Sequence, residues 1–383
     1  MSMNYIDEAY AICIQAGVPV ILWGPPGIGK TMRTQAIARS LGLSLVEQVC
    51  STWDPTDVGL PVVERRQKQA EAEARVLSKL EGNLEIYDGD RFVRVPPQWA
   101  VECDGKTLLY LDEFSCTPPA VQASALKIVG ERKCGDFKLP DGVAIALSAN
   151  PADQAAGGWE LAPPMANRMV HLECALKTDE WCDGMIGGWS DSPVSKLGAK
   201  WEAMVPAKRA LVTSYIRRFP AHLLDLPKDE ATCGRAWPSP RSWDFCARLL
   251  AAAESANASP AAVMHLVKGS VGHPAVSFLT FCEQLDLPDP ETLLADPGLY
   301  EHPSRGDKAH AILGSVAAAA LARPNAKRWE AAVQVMLKAA TQGGTDIAAI
   351  AARALFKNMP PKANVPNEIS QFFPMFKAAG LVK

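Results

Sequence analysis

Residues 24–31 read Gly-Pro-Pro-Gly-Ile-Gly-Lys-Thr, and no other stretch constrains the chain as tightly. They fit the spacing G-x-x-x-x-G-K-[ST], directly behind the apolar run Val20–Trp23 and ahead of the helix-compatible run Thr31–Leu41. A strand, a glycine loop and a helix in that order make a cradle for phosphate. Gly24, Gly27 and Gly29 let the backbone curl so that N–H groups converge on an anion, with Pro25, Pro26 and Ile28 filling the loop between them. The helix that follows presents its positive end to the same anion, beginning with Lys30, Thr31 and Met32. The Lys30 amine is expected on the outer phosphates, and the Thr31 hydroxyl is expected to ligate Mg²⁺.

At 383 residues the chain has room for two or three domains. Apolar residues make up 48%, which fits a folded rather than a disordered chain. The formal charge is −3, from 39 basic and 42 acidic residues, so the composition does not favour nucleic acid as a partner. No run approaches 18 continuous apolar residues, and no membrane span is expected. Met1–Glu8 lacks a basic segment followed by an apolar one, which points away from secretion and towards the cytoplasm. The ten cysteines are scattered without a C-x-x-C pair. Cys103 with Cys116, or Cys174 with Cys182, would serve as metal ligands, but reduced thiols are the expected reading.

The element pattern predicts a short helix over 7–16 and strands at Val20–Trp23, Ser44–Val49, Thr107–Leu111, Val143–Ser148 and Met169–Leu172. A helix is expected over Pro118–Val129 and a hairpin over Lys133–Gly142. Residues 54–61 read as a turn-rich stretch, Glu64–Leu80 as a charged helix, and 83–95 as strand-like pieces around the turn Asp88-Gly-Asp90. Alternating strands and helices imply an α/β, doubly wound parallel sheet that binds ligands at the carboxyl ends of its strands. Leu176–Lys200 and 286–305 read as linkers. Helices are expected over Ala207–Arg218, Ser242–Ala256, Pro260–Gly269, Ala275–Leu285 and most of 306–356.

Leu108–Leu111 ends in two adjacent carboxylates, Asp112 and Glu113. Downstream of a phosphate loop, the first is placed to hold Mg²⁺, directly or through water, and the second to orient or deprotonate an attacking water. Together with 24–31 these residues closely resemble the AAA+ ATPases, and within them the MoxR-like and CbbQ/NorQ-like branch. Asp112–Gln122, Asp54–Pro61 and Val95–Trp99 are similar to segments of that branch.

The resemblance implies a P-loop NTPase core over 1–180, with an insert at about 57–100 and a hairpin at about 133–142. It further implies an α-helical lid at 206–285 after a linker at 181–205; the resemblance covers about residues 5–285, and 286–383 read as a helical extension outside it. It implies ATP and Mg²⁺ as cofactors, bound between subunits of a hexameric ring. Ala146–Pro151 resembles the sensor 1 strand, so Asn150 would position the lytic water with Glu113. Pro163–Met169 resembles the Arg-finger segment, so Arg168 would reach the neighbouring subunit's γ-phosphate. Trp237–Trp243 resembles the sensor 2 motif, so Arg241 would touch ATP from the lid. The 64–100 insert and the Lys133–Gly142 hairpin are candidates for pore-facing or substrate-facing loops. The function implied is ATP hydrolysis coupled to remodelling a protein partner, typically one with a von Willebrand A domain or a metalloenzyme needing activation. Two alternatives stand beside it: a nucleic-acid motor or loader, and a nucleotide-switched scaffold ring.

Overall fold

The computed structural model describes residues 4–64, 91–151, 154, 158–187 and 194–372. The chain enters through α1 (Tyr5–Gln15), capped by the Asn4 side chain, and then forms β1 (Val20–Trp23) and α2 (Lys30–Leu41). Next come β2 (Ser44–Val49), β3 (Leu60–Glu64), β4 (Arg91–Val95) and the single turn α3 (Gln98–Val101). They are followed by β5 (Thr107–Asp112), α4 (Pro119–Glu131), the two-residue strands β6 (Lys133–Cys134) and β7 (Phe137–Lys138), and β8 (Ala144–Ala149). The turn α5 (Pro163–Ala166) leads into β9 (Val170–Glu173).

Five of these strands make one sheet in the order β2-β5-β8-β1-β9, and every pair in it is parallel. Side chains alternate across the sheet, as a period of two requires. Val20, Leu22, Leu108, Tyr110, Ala146 and Leu172 face α1 and helices from the second half of the chain. Ile21, Trp23, Leu109, Leu111, Ile145 and Leu147 face α4 and the 100–103 segment. With both faces covered, β8 is buried along its whole length, so its sequence runs apolar without alternation.

Three expectations are corrected. The turn-rich reading of 54–61 holds over 55–58, but its last two residues and the helix start at Glu64 give way to β3, which pairs antiparallel with β4 in the register Leu60↔Val95 to Glu64↔Arg91. Pro61 misled there, since an edge strand tolerates proline. This ribbon is pinned to the β6–β7 hairpin by Asp136, whose N–H donates to the Arg94 carbonyl and whose carboxylate accepts from the Arg94 N–H. The Glu64–Leu80 helix, from 65 onward, and the Asp88-Gly-Asp90 turn lie outside the described residues. The stretch 176–200 holds α6 (Thr178–Gly187), started by Asp179 and Glu180 at the positive helix end. The linker at 286–305 holds a further helical turn, described below.

The second half of the described chain is helical. α7 (Val205–Arg218), α9 (Pro240–Ser255), α10 (Pro260–Val271) and α11 (Ala275–Leu285) form a bundle, with the turn α8 (Glu230–Cys233) between the first two in sequence. Its centre is Tyr215, ringed by Phe219, Trp243, Phe278 and Phe281. α9 starts with a full capping box between Ser239 and Ser242. α12 (Pro290–Ala295) follows, capped by Asp289. α13 (Gly306–Ala322), α14 (Ala326–Ala339) and α15 (Thr345–Lys357) then build a third apolar cluster around Trp329. α13 also contributes Ala311 to the Tyr215 bundle, so the last helices lean directly on it.

Candidate active site

The loop after β1 is held open by glycine. Gly27 and Gly29 take φ of +78° and +87°, a region that side chains avoid, and a Cβ at either would face open space. Gly24 is tight instead: a Cβ there would sit 2.5 Å from Ile28 Cδ1 and 2.7 Å from the Cys174 carbonyl oxygen. Gly29 caps α2 without any side-chain bond, leaving the first-turn N–H groups free of a capping side chain. Pro25, Pro26 and the Met32 side chain are exposed around the mouth of the loop.

Lys30 is buried and its Nζ donates to three neutral oxygens: Gly24 O at 2.7 Å, Pro25 O at 2.9 Å and Asn150 Oδ1 at 2.6 Å. Burial lowers its pKa, while Asp112 and Glu113 pull the other way. Thr31 Oγ1 donates to Asp112 Oδ2 at 2.8 Å. The other Asp112 oxygen accepts from the Tyr110 hydroxyl at 3.1 Å, from the Glu113 N–H at 2.9 Å and from the Ser148 hydroxyl. Five elements thus converge: the loop, α2, β5, β8 and the residue after β8.

Glu113 occupies the left-handed region at φ +54°, which non-glycine residues rarely adopt. That backbone turns its side chain out of the strand line, where its Oε2 accepts from the Ser51 hydroxyl at 2.6 Å. Ser51 lies in the short 3₁₀ turn that follows β2. The Asn150 backbone N–H is bonded to Ser115 Oγ at 3.0 Å, which fixes the chain just before its side chain meets Lys30.

The two arginines lie elsewhere. Arg168 follows α5; its Nη1 donates to Pro164 O at 2.6 Å, and its side chain lies where a Cβ on Gly130 of α4 would be. Arg241 is exposed in the first turn of α9. Its pKa is lowered by partial burial and then by the like charge of Arg168. The segment leading into α9 is stitched to the residue before Arg168: Ser239 Oγ donates to Asn167 Oδ1 at 2.8 Å, and Asn167 Nδ2 donates to Trp237 O at 3.4 Å.

The structure therefore brings Lys30, Thr31, Asp112, Glu113 and Asn150 together, while Arg168 bonds Pro164 and Arg241 stands in the first turn of α9. Ser51, Ser148 and Tyr110 were not singled out from sequence. Ser148, a hydroxyl inside an apolar strand, was the one with a local signal. The donor set suits a triphosphate and a hard divalent cation: a buried amine with neutral partners, unfilled N–H groups at a helix start, and a hydroxyl beside a carboxylate.

A parallel sheet with a glycine loop after its β1 strand and a carboxylate at the end of β5, one strand beyond the neighbouring β8, defines a P-loop nucleotide-binding fold. Residues 20–83 match the family described as ATPase family associated with various cellular activities (AAA). That match spans the phosphate loop, and the protein is an ATPase. Among solved structures, a candidate ATPase from Cytophaga hutchinsonii aligns with a TM-score of 0.44 and 14% identity, over 73% of this chain and 88% of that one. No curated protein matches the sequence. Among the described residues, no helix is long and apolar enough to cross a membrane.

Proposed function

We propose that this ATPase works as a ring of copies, hexameric in the MoxR-like branch, and spends each turnover on remodelling a protein partner. The observation that supports this reading is that Arg168 is held on Pro164 O and against Gly130, with the start of α9 bonded to Asn167 beside it, while Lys30 and Thr31 bond Asn150 and Asp112. The γ-phosphate of a neighbouring copy is the anion such a guanidinium would meet. On this reading Arg241 serves the same neighbour as Arg168.

Within one copy, the loop 24–29 and Lys30 hold the phosphates. Thr31 and Asp112 would hold Mg²⁺, which when bound neutralises phosphate charge. Glu113 takes the proton of the attacking water, and Asn150 orients that water once its Lys30 bond is exchanged for phosphate. The Ser51 hydroxyl holds the Glu113 carboxylate in one place until then. A partner with a von Willebrand A domain, or a metalloenzyme needing activation, is the class the resemblance suggests. Ten cysteines without a disulfide suit the reducing cytoplasm.

The test of the shared site mixes Lys30→Ala chains with Arg168→Ala chains. Neither is active alone. Recovered ATPase in mixed rings supports the proposal, and none, with mixed rings shown by crosslinking, overturns it. The client is sought by capture on tagged Glu113→Gln protein with ATP. A protein retained only in that state supports remodelling; nuclease-sensitive nucleic acid would move the reading to a motor, and an empty ring to a scaffold.

A further inference from the structure

Trp23 is the last residue before the phosphate loop, and it is wholly buried. Its Nε1–H donates to His171 Nδ1 at 3.0 Å, across the β1–β9 pairing. That bond fixes the tautomer. His171 must then carry its proton on Nε2, which meets the Ala166 carbonyl oxygen at 2.9 Å. Burial holds the imidazole neutral, with a pKa lowered to about 4, so both bonds keep their direction at neutral pH. Ala166 ends α5, and Arg168 is two residues on.

The open face of the indole is also occupied. The Arg235 guanidinium lies 3.4 Å from the Trp23 ring centroid and is steadied by Glu173 Oε1 at 3.1 Å. Arg235 begins the segment 235–239, whose other end holds Asn167 through Trp237 O and Ser239 Oγ. This lid segment is pressed in place from behind, since a Cβ on Gly272 would sit 2.4 Å from the Ala236 carbonyl oxygen. One short piece of lid thus touches the end of the phosphate-loop strand and the residue before Arg168. The indole touches that same strand end, the lid, and, through His171, the carbonyl two residues before Arg168.

We propose that Trp23, His171 and Arg235 are positioning residues that hold the Arg168 segment and the lid in register for the neighbouring copy's site. The proposal rests on the shared-site reading above. Its consequence is directional: breaking the relay harms a copy as donor of arginine, and spares it as holder of nucleotide.

The experiment uses full-length chains in mixed rings. Trp23→Phe keeps an aromatic face under Arg235 and removes the Nε1–H. Alone it is expected to lower kcat about tenfold or more, with KM for ATP within about twofold. Arg168→Ala chains, whose own sites are intact, are then mixed with one of two donors: Lys30→Ala, or Lys30→Ala with Trp23→Phe. The first donor restores activity. The second is expected to restore less than about a tenth as much. Equal rescue by both donors overturns the relay, as does a loss of ATP affinity in Trp23→Phe alone. If the first donor also fails, the shared site itself has failed and the relay falls with it, a result distinguishable from the other two. Arg235→Met, a change at a partly exposed position, replaces Trp23→Phe in every arm if the latter does not fold, with the same expected asymmetry.

Discussion

Glu113 shows how a single residue can be placed by strain and held by one bond. Its left-handed backbone aims the carboxylate away from β5 and onto Ser51. Glu113→Gln should keep ATP binding and lose turnover by about 10³ or more, since the amide cannot take a proton; single-turnover assays would show it. Ser51→Ala should leave the Kd for ATP within about twofold and lower kcat about tenfold. A hydrogen bond to a charged group is worth about 1.5–3 kcal/mol, and a tenfold loss corresponds to about 1.4 kcal/mol. Lys30→Ala should abolish ATP binding in a calorimetric titration, because it removes a buried positive charge bonded to the cradle's own carbonyls. Spacing along the chain makes the Lys30, Thr31, Asp112 and Glu113 roles readable. The Ser51 contact joins residues 62 positions apart and carries no local signature.

At the scale of elements, the loop between β1 and α2 depends on an empty volume. Gly24→Ala places a methyl against the Cys174 carbonyl, part of the β9 segment that cannot retreat without leaving the sheet. ATP affinity should fall tenfold or more, measured by titration, while Gly29→Ala adds backbone strain but no clash. The β1–β9 pair carries a pH dependence through His171. Its folded pKa, about 4, lies below the ordinary value of 6.5, so between those values the unfolded chain binds a proton that the folded chain does not. Stability on this account is full above pH 6.5 and falls as pH drops towards 4, by about 1.4 kcal/mol per unit of pH. Urea melts at pH 7, 6 and 5 should show His171→Gln losing this slope relative to wild type. The strands themselves were legible because apolar runs of four to six residues between glycine and proline signals leave little choice. β3 was not, because its Pro61 and its turn-rich approach outweighed a strand that only pairing with β4 supports.

At the scale of the molecule, the helices after residue 286 are joined to the Tyr215 bundle through a close approach of α13 to α7. A Cβ on Gly314 of α13 would lie 2.6 Å from the Ala210 Cβ of α7. Gly314→Val should force the two helices apart and cost about 1–3 kcal/mol in chemical unfolding. Trp329→Ala should cost about 3–5 kcal/mol, since the indole is buried among α13–α15 and its Nε1–H donates to Leu355 O at 2.8 Å.

The sequence by itself determined the phosphate loop, the strand-end carboxylates and the parallel sheet. Each is written in contiguous residues whose spacing the chemistry dictates. Tertiary structure alone decided that Asn167, beside Arg168, bonds the start of α9, that Ser51 holds Glu113, that Arg235 covers Trp23, and that the final helices lean on the Tyr215 bundle. Those pairs meet because the strand order 2-5-8-1-9 and the return of α9 and α10 onto the sheet bring distant segments together. No local propensity records such a meeting, because its energy exists only once the chain has closed on itself.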